Sequence, residues 1–417
     1  AGQREQPVIP ASPVDRAAIL ASKTPLKRSL SLPMLVLYGL GTTIGAGIYA
    51  LIGELAGISG YLAPAAFLVA LVMASLTALS FAELSGRYPR CAGAALYVRE
   101  GLASEQLSLL VGLLVISAGL VSAAAIVNGF IGYLNEFVQL DRPTAIILLC
   151  LLIGGIAAWG IAESVGIAAF VTVVEISGLL LVIAVSQSGL AALPDRWHEL
   201  LPGMDTASWG SVYAGSLLAF YAFIGFEDMV EVAEETRAVR RNLPIAIILT
   251  LGITAILYIA VMVTAVFAMP PAELAGSAAP LTRIYEHYTG SNGTVISIIG
   301  LFALINGALI QLIMAARVLY GLSSRHLLPA MFGTVNAITK TPLLATAVAT
   351  AVILVLALAG RLATLAEATS LIMLCVFALV NLSLWRIKRR EPSPRGLIVF
   401  PVWIPVSGFL VSMGFVI

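Results

Sequence analysis

Charge is what this sequence has least of. Lys, Arg, Asp and Glu together make up 11% of the 417 residues, against 60% apolar residues and a mean hydropathy of +1.01. A soluble domain carries about 25% charged residues, so that class is excluded and a chain threaded repeatedly through a bilayer is implied. With a formal charge of +1 there is no basic field for nucleic acid and no acidic field for a basic partner. Cysteine is down to three: Cys91, Cys150 and Cys375 are scattered, two of them inside apolar runs. That excludes a disulfide framework or a zinc site and leaves small buried hydrophobes. The three histidines, His198, His287 and His326, all fall between apolar runs, so an enzyme working within the membrane would have no histidine there. No phosphate-binding G-x-x-x-x-G-K-[S/T] loop occurs, and Gly41 to Gly47 lack the soluble strand–helix unit of a dinucleotide site. Neither an enzyme, a cofactor nor a metal is expected.

What the chain has instead is long apolar runs. Charge-free length predicts eleven spans, at about 32–56, 61–84, 107–134, 143–161, 165–189, 209–232, 244–268, 294–320, 343–360, 363–384 and 397–417. The last ends without a polar flank, which suggests that a twelfth span is missing. Residues 1–31 carry Arg4, Arg16, Lys23, Lys27 and Arg28 with no signal-peptide core and read as a cytoplasmic arm. With that arm inside, 19 of the 23 Lys and Arg residues fall on the inner side, and only Arg142, Arg196, Arg283 and Arg361 fall outside. The asymmetry predicts a multi-pass protein of the cell membrane with a cytoplasmic N-terminus. In the outer connection after span seven, Pro280 to Tyr288 has helical apolar spacing and predicts a short surface helix.

The organising stretch is Tyr38-Gly-Leu-Gly-Thr-Thr-Ile-Gly-Ala-Gly-Ile-Tyr49 in span one. Each glycine lowers helix propensity by roughly 1 kcal/mol relative to alanine, and none has a Cβ to keep a ligand off the backbone. This helix is built to break. At a break, one half-helix presents amide N–H groups and the positive end of its dipole, and the other presents carbonyls. Such a pair suits the carboxylate and ammonium of an amino acid. Span six repeats the device: Ser216-Leu-Leu-Ala-Phe-Tyr-Ala-Phe-Ile-Gly-Phe-Glu-Asp228 meets Gly225 and then two carboxylates. Breaks five spans apart, entered from opposite sides, predict an all-α fold with an inverted five-plus-five repeat. The repeats would occupy 32–190 and 191–390, with span eleven in 391–417.

Four motifs in order, Thr43-Ile-Gly-Ala-Gly-Ile-Tyr49, Ser80-Phe-Ala-Glu-Leu-Ser-Gly-Arg-Tyr-Pro-Arg90, Phe220-Tyr-Ala-Phe-Ile-Gly-Phe-Glu-Asp228 with Glu234-Glu235, and Ala315-Ala-Arg-Val-Leu-Tyr-Gly-Leu322, resemble the amino acid/polyamine/organocation permeases. Within them the chain looks similar to bacterial relatives of cationic amino acid transporters. The resemblance implies the leucine-transporter fold, with spans one and six unwound around a central site. It places the substrate carboxylate on the amides of Gly45, Ala46 and Gly47, just past Ile44, and the ammonium on the carbonyls of Thr43, Tyr221, Ala222 and Ile224. Ala46 stands where the family often has serine, which removes a hydroxyl and keeps the backbone donors.

Several polar residues in the spans have two readings each. Glu175 stands alone in span five, where an ionised carboxylate is costly, and is either a proton carrier or a buried structural acid. Some proton-coupled relatives carry a lysine in that region, so the charge here is reversed. Glu83 and Arg87, four apart, form either a helix-surface pair or an inner-gate latch. Glu227 and Asp228, adjacent and so about 100° apart on a helix, are expected on different faces, as caps of the second half of span six or as cavity-lining acids. Asn306 and Gln311 are the polar residues of span eight, and no Ser or Thr occurs from Phe302 to Leu322. Since sodium-coupled members of this fold use hydroxyls there, sodium coupling is not expected. Asn306 is a candidate to hydrogen-bond span one. Tyr221 is either a lid or a packed aromatic. The function these residues support is proton-coupled or exchange transport of amino acids by alternating access, with the lipid bilayer as solvent. A polyamine carrier leaning on Glu227, Asp228 or Glu367 and a nontransporting sensor are the alternatives.

Overall fold

The computed structural model describes residues 30–90, 93–160, 165–324, 328–339, 341–392, 394 and 396–417. The basic arm before Leu30 lies outside them, as do Cys91, Arg325, His326, Lys340 and Arg395; of Ala46 only the backbone is described. Within the described residues the chain is helical throughout, with no strand beyond one isolated bridge between Leu30 and Thr236. Hydrocarbon offers the backbone no hydrogen-bond partner, so an apolar run must satisfy its own peptide groups, and the helix does so.

Each of the eleven predicted runs coincides with a helix. They are α1 (Leu32–Ser59), α2 (Ala63–Arg87), α4 (Glu105–Leu134), α5 (Arg142–Trp159), α6 (Val165–Val185), α7 (Thr206–Phe223), α8 (Val239–Ala268), α11 (Thr294–Ser324), α12 (Leu343–Ala359), α13 (Leu362–Arg390) and α14 (Trp403–Val416). Between them lie α3 (Gly93–Leu102), α9 (Pro271–Ala275) and the expected surface helix α10 (Pro280–Thr289). Among the described residues, seven stretches qualify by length and composition to cross a membrane, or eight with the bent pair Ala169–Val185 and Gln187–Leu200; Leu343–Ala359 and Trp403–Val416 are apolar but shorter. One of the seven, Leu32–Arg87, has 56 residues. A straight helix of that length would measure about 84 Å, more than twice a bilayer core, and the chain turns at Gly60, whose φ is +55°.

Helix α1 is the axis of the packing. It contacts α6, α7, α8 and α11, and every described side chain from Thr43 to Gly53 is buried. A helix apolar on all sides belongs at the centre of a bundle. The outer helices turn large side chains outward: Leu151, Phe170, Ile256, Phe302 and Val355 are all more than 60% exposed, as a lipid-facing belt requires. Close approaches between helices fall on small residues. A Cβ on Gly129 would stand 2.7 Å from that of Ala50, and one on Gly154 would stand 2.8 Å from the Thr350 side chain.

Polar groups inside the bundle are paired across distant helices. Asn381 of α13 accepts from Ser80 Oγ at 2.6 Å and donates to Thr77 Oγ1 at 2.9 Å. One turn further on, Glu83 receives Arg87 Nη2 at 2.8 Å, Lys388 Nζ at 2.7 Å and the Phe400 amide at 2.9 Å. Glu83 and Lys388 are 0% and 2% exposed. The local pair read from the sequence is one arm of a buried three-way knot joining α2, α13 and the lead-in to α14. At the opposite end of the bundle, Arg142 donates to the carbonyls of Ala357, Leu358 and Gly360, a cation at the C-terminus of α12.

Candidate functional site

Both expected breaks are present. In α1 the helical path fails at Gly45, whose φ and ψ are −46° and −119°. Helix α7 stops at Phe223; Ile224 is extended, Gly225 takes φ +129°, and the chain resumes as a 3₁₀ segment, Phe226–Glu235. Only glycine holds that φ without strain, and a Cβ on Gly225 would run into the Thr42 carbonyl. A Cβ on Gly47 would likewise lie 2.6 Å from the Ala222 Cα, so α1 and α7 touch backbone to backbone beside the two breaks.

Main-chain groups freed by a break inside a membrane need substitutes, and the protein supplies several. The Thr42 hydroxyl lies 3.0 Å from both the Gly39 and the Gly225 carbonyls, and its one proton serves either. The Gly225 amide donates to Glu227 Oε2 at 2.8 Å, so Glu227 caps the break. Tyr258 of α8 donates to the Thr43 carbonyl at 2.7 Å. The start of α1 is tied to the end of the 3₁₀ segment: the Leu30 amide donates to Glu235, and the Arg237 amide donates to Leu30.

A cavity of about 40 Å³ lies between the breaks. That admits about three waters or a compact polar group. Its lining includes Thr43, Gly45, Gly47, Tyr221 and Ile224 of the expected set, joined by Thr42, Ser122 and Gln311. Ile44, Ala222 and Asn306 are buried nearby but do not line it. Across the cavity Tyr221 Oη meets Ser122 Oγ at 2.9 Å, closing a hydroxyl pair between α7 and α4.

Glu175 is 1% exposed on α6, and its carbonyl accepts the Tyr49 hydroxyl at 2.6 Å. The Tyr49 carbonyl in turn accepts from Tyr133 at 2.8 Å. The acid therefore sits where α6 meets the half of α1 that follows its break. Glu227 and Asp228, expected on different faces, line one cavity together with Glu231. The 3₁₀ winding is the reason: it eclipses Asp228 with Glu231, three residues on, while Glu227 folds back to Gly225. Tyr258 and Lys388 were missed as site and knot residues. A tyrosine in mid-span and a lysine at a span end each need a polar partner, and that need was the one available signal.

The sequence of residues 30–417 matches the amino acid permease family model. Among curated relatives, a vacuolar cationic amino acid transporter of Arabidopsis thaliana is 29% identical, covering 89% of this chain and 61% of that protein. The chain thus spans about three-fifths of that relative. A branched-chain amino acid permease of Bacillus subtilis is 26% identical over 91% of this chain and 85% of its own. A methylthioribose transporter of the same bacterium is 25% identical, covering 94% and 88%. With broken helices meeting at one polar cavity, and a family match running from the first described residue to the last, the chain belongs to the amino acid permeases of the amino acid/polyamine/organocation superfamily.

Proposed function

We propose that the protein is a secondary active transporter that carries an amino acid across the cell membrane by alternating access. The cavity between the Gly45 and Ile224–Gly225 breaks is the observation that carries this reading. The amides at Gly45, Ala46 and Gly47 head the second half of α1 and suit the substrate carboxylate; carbonyls around Tyr221, Ala222 and Ile224 suit its ammonium. The hydroxyl pair of Tyr221 and Ser122 is the thin closure on one side, and rocking of the bundle that holds α1 and α7 opens the other. The cytoplasmic face is the end bearing Arg87, Arg237, Arg240, Arg241 and Lys388 to Arg390. The two five-span repeats, 32–190 and 191–390, carry one broken helix each.

For coupling, Glu175 is the proton-carrier candidate because it abuts α1 just beyond the break, and the absence of Ser and Thr from Phe302 to Leu322 argues against sodium. The test is flux. Purified protein in liposomes preloaded with mixed amino acids is expected to take up labelled amino acid by exchange and to accumulate it under an inward proton gradient. Binding without flux would make the protein a sensor, and inhibition by putrescine but by no α-amino acid would make it an amine carrier.

A further inference from the structure

Among the described residues no Asp, Glu, Lys or Arg lines the cavity between the breaks. A charged side chain buried there would lose its hydration and meet no opposite charge, which is costly at membrane depth. Nearly every polar side chain in the lining is already engaged. Thr42 serves the Gly39 and Gly225 carbonyls, Thr43 donates to the Gly39 carbonyl at 2.8 Å, and Ser122 and Tyr221 hold each other. Gln311 of α11 differs: it lines the cavity, and its carboxamide makes no hydrogen bond among the described residues. A carboxamide carries two donors and an acceptor oxygen at one flat end, so it meets a hydroxyl in either sense.

Gln311 is held to the cavity from two sides. It stands with Gly307 and Ile310 at the three- and four-residue spacing of one face of α11, so a regular helix presents it. Its Oε1 rests on Gly119 of α4, where a Cβ would stand only 3.0 Å away. Gly119 lies three residues before Ser122 and so shares its face of α4. The rest of the wall includes Ile126, Ile224 and Ile310, which limit size and offer no hydrogen bond. At about 40 Å³ the cavity is filled by about three water-sized groups. A carboxylate and an ammonium at the breaks take most of that volume, and only a short side chain fits in the remainder.

We propose that Gln311 is a specificity-determining residue, and that the cavity selects an α-amino acid with a short, uncharged side chain ending in a hydroxyl, serine being the type. The Gln311 carboxamide takes the hydroxyl, and the three isoleucines reject longer chains. The inference deepens the transport reading of this cavity and rests on it. Selection is read by binding and transport by flux, so the two can fail separately.

Serine, alanine, leucine and arginine are the probes, titrated against the purified protein in detergent by equilibrium binding and thermal shift. Alanine has the backbone of serine without the hydroxyl. Serine is expected to bind about five- to tenfold more tightly than alanine, the worth of one hydrogen bond, and leucine and arginine more weakly than either. Gln311→Leu is expected to bring the serine-to-alanine ratio close to one. Gly119→Ala crowds the Gln311 amide while adding a better helix former. It is expected to narrow the same ratio, and it keeps the test alive if Gln311→Leu folds poorly. A ratio near one in wild type, a ratio unmoved in both variants, or leucine or arginine binding more tightly than serine overturns the proposal. Liposome uptake without preference for serine would leave transport standing and remove this assignment, whereas serine-selective binding without flux would do the reverse.

Discussion

At the scale of single residues, the site depends on atoms that hold the two breaks open. Gly225 is the least replaceable, because its φ of +129° and its contact with the Thr42 carbonyl both forbid a side chain. Gly225→Ala is expected to cost about 1–3 kcal/mol in backbone strain, before the steric clash is counted, and to abolish transport. A variant with wild-type melting temperature and uptake would show that the break is not required. Tyr258→Phe deletes the donor to the Thr43 carbonyl at 2.7 Å, leaving a buried acceptor at a cost of about 1–3 kcal/mol. A lower melting temperature and a raised KM for the amino acid are expected, and unchanged values of both would remove Tyr258 from the site. Glu175→Gln keeps size and loses the titrating proton; exchange should persist while uphill uptake at pH 5.5 disappears. Accumulation equal to wild type would make Glu175 a structural acid. Gly45, Gly47 and Gly225 were legible in the sequence because the first two cluster with Gly39 and Gly41 in mid-span and the third stands just before two adjacent carboxylates. The partners Tyr258, Ser122 and Thr42 were less so, since a lone hydroxyl on an apolar helix does not announce which way it faces.

Elements are joined by polar groups that the membrane leaves no other way to satisfy. The knot of Glu83, Arg87 and Lys388 fastens α2 to α13 and, through the Phe400 amide and carbonyl, to the segment entering α14. Removing Lys388 leaves Glu83 with Arg87 and the Phe400 amide, so Lys388→Met is expected to destabilise by less than the about 3–5 kcal/mol of a fully stranded buried charge. Adding Glu83→Gln to Lys388→Met should destabilise further, because the buried Arg87 then loses its carboxylate. Thermal melts of both variants in detergent decide this, and a double mutant no worse than the single would mean that the Glu83–Arg87 pair contributes nothing once the lysine is gone. The Glu83–Arg87 half of the knot was readable from its four-residue spacing. Lys388 lies 305 residues away and was out of reach of any local pattern. The 3₁₀ segment carries the same lesson. Read as an α-helix, Glu227 and Asp228 diverge; wound as 3₁₀ after a glycine break, Asp228 stacks with Glu231 and a cavity forms that spacing alone does not predict.

For the molecule as a whole, two cavities follow one another along the same faces of α4 and α11, from the paired breaks to a mouth lined by Glu231 and Arg317. A transporter arranged this way with no hydroxyl in the middle of α11 should run without sodium. Replacing sodium by choline on both sides of the liposome is expected to leave the initial rate unchanged, and a loss of more than about half would reinstate a sodium site. The apolar lengths that made each helix also placed it, because a bilayer permits little besides helices of matching length. By itself the sequence determined that this chain lives in lipid, that eleven apolar runs become helices, and that the first and sixth are interrupted, all consequences of local composition and of a solvent without hydrogen bonds. Tertiary structure alone decided which hydroxyls repair the breaks, that Lys388 joins Glu83, and that three carboxylates share one cavity. Those outcomes depend on how each helix is rotated about its axis, and that angle is set by the packing of distant side chains rather than by any periodicity within the helix.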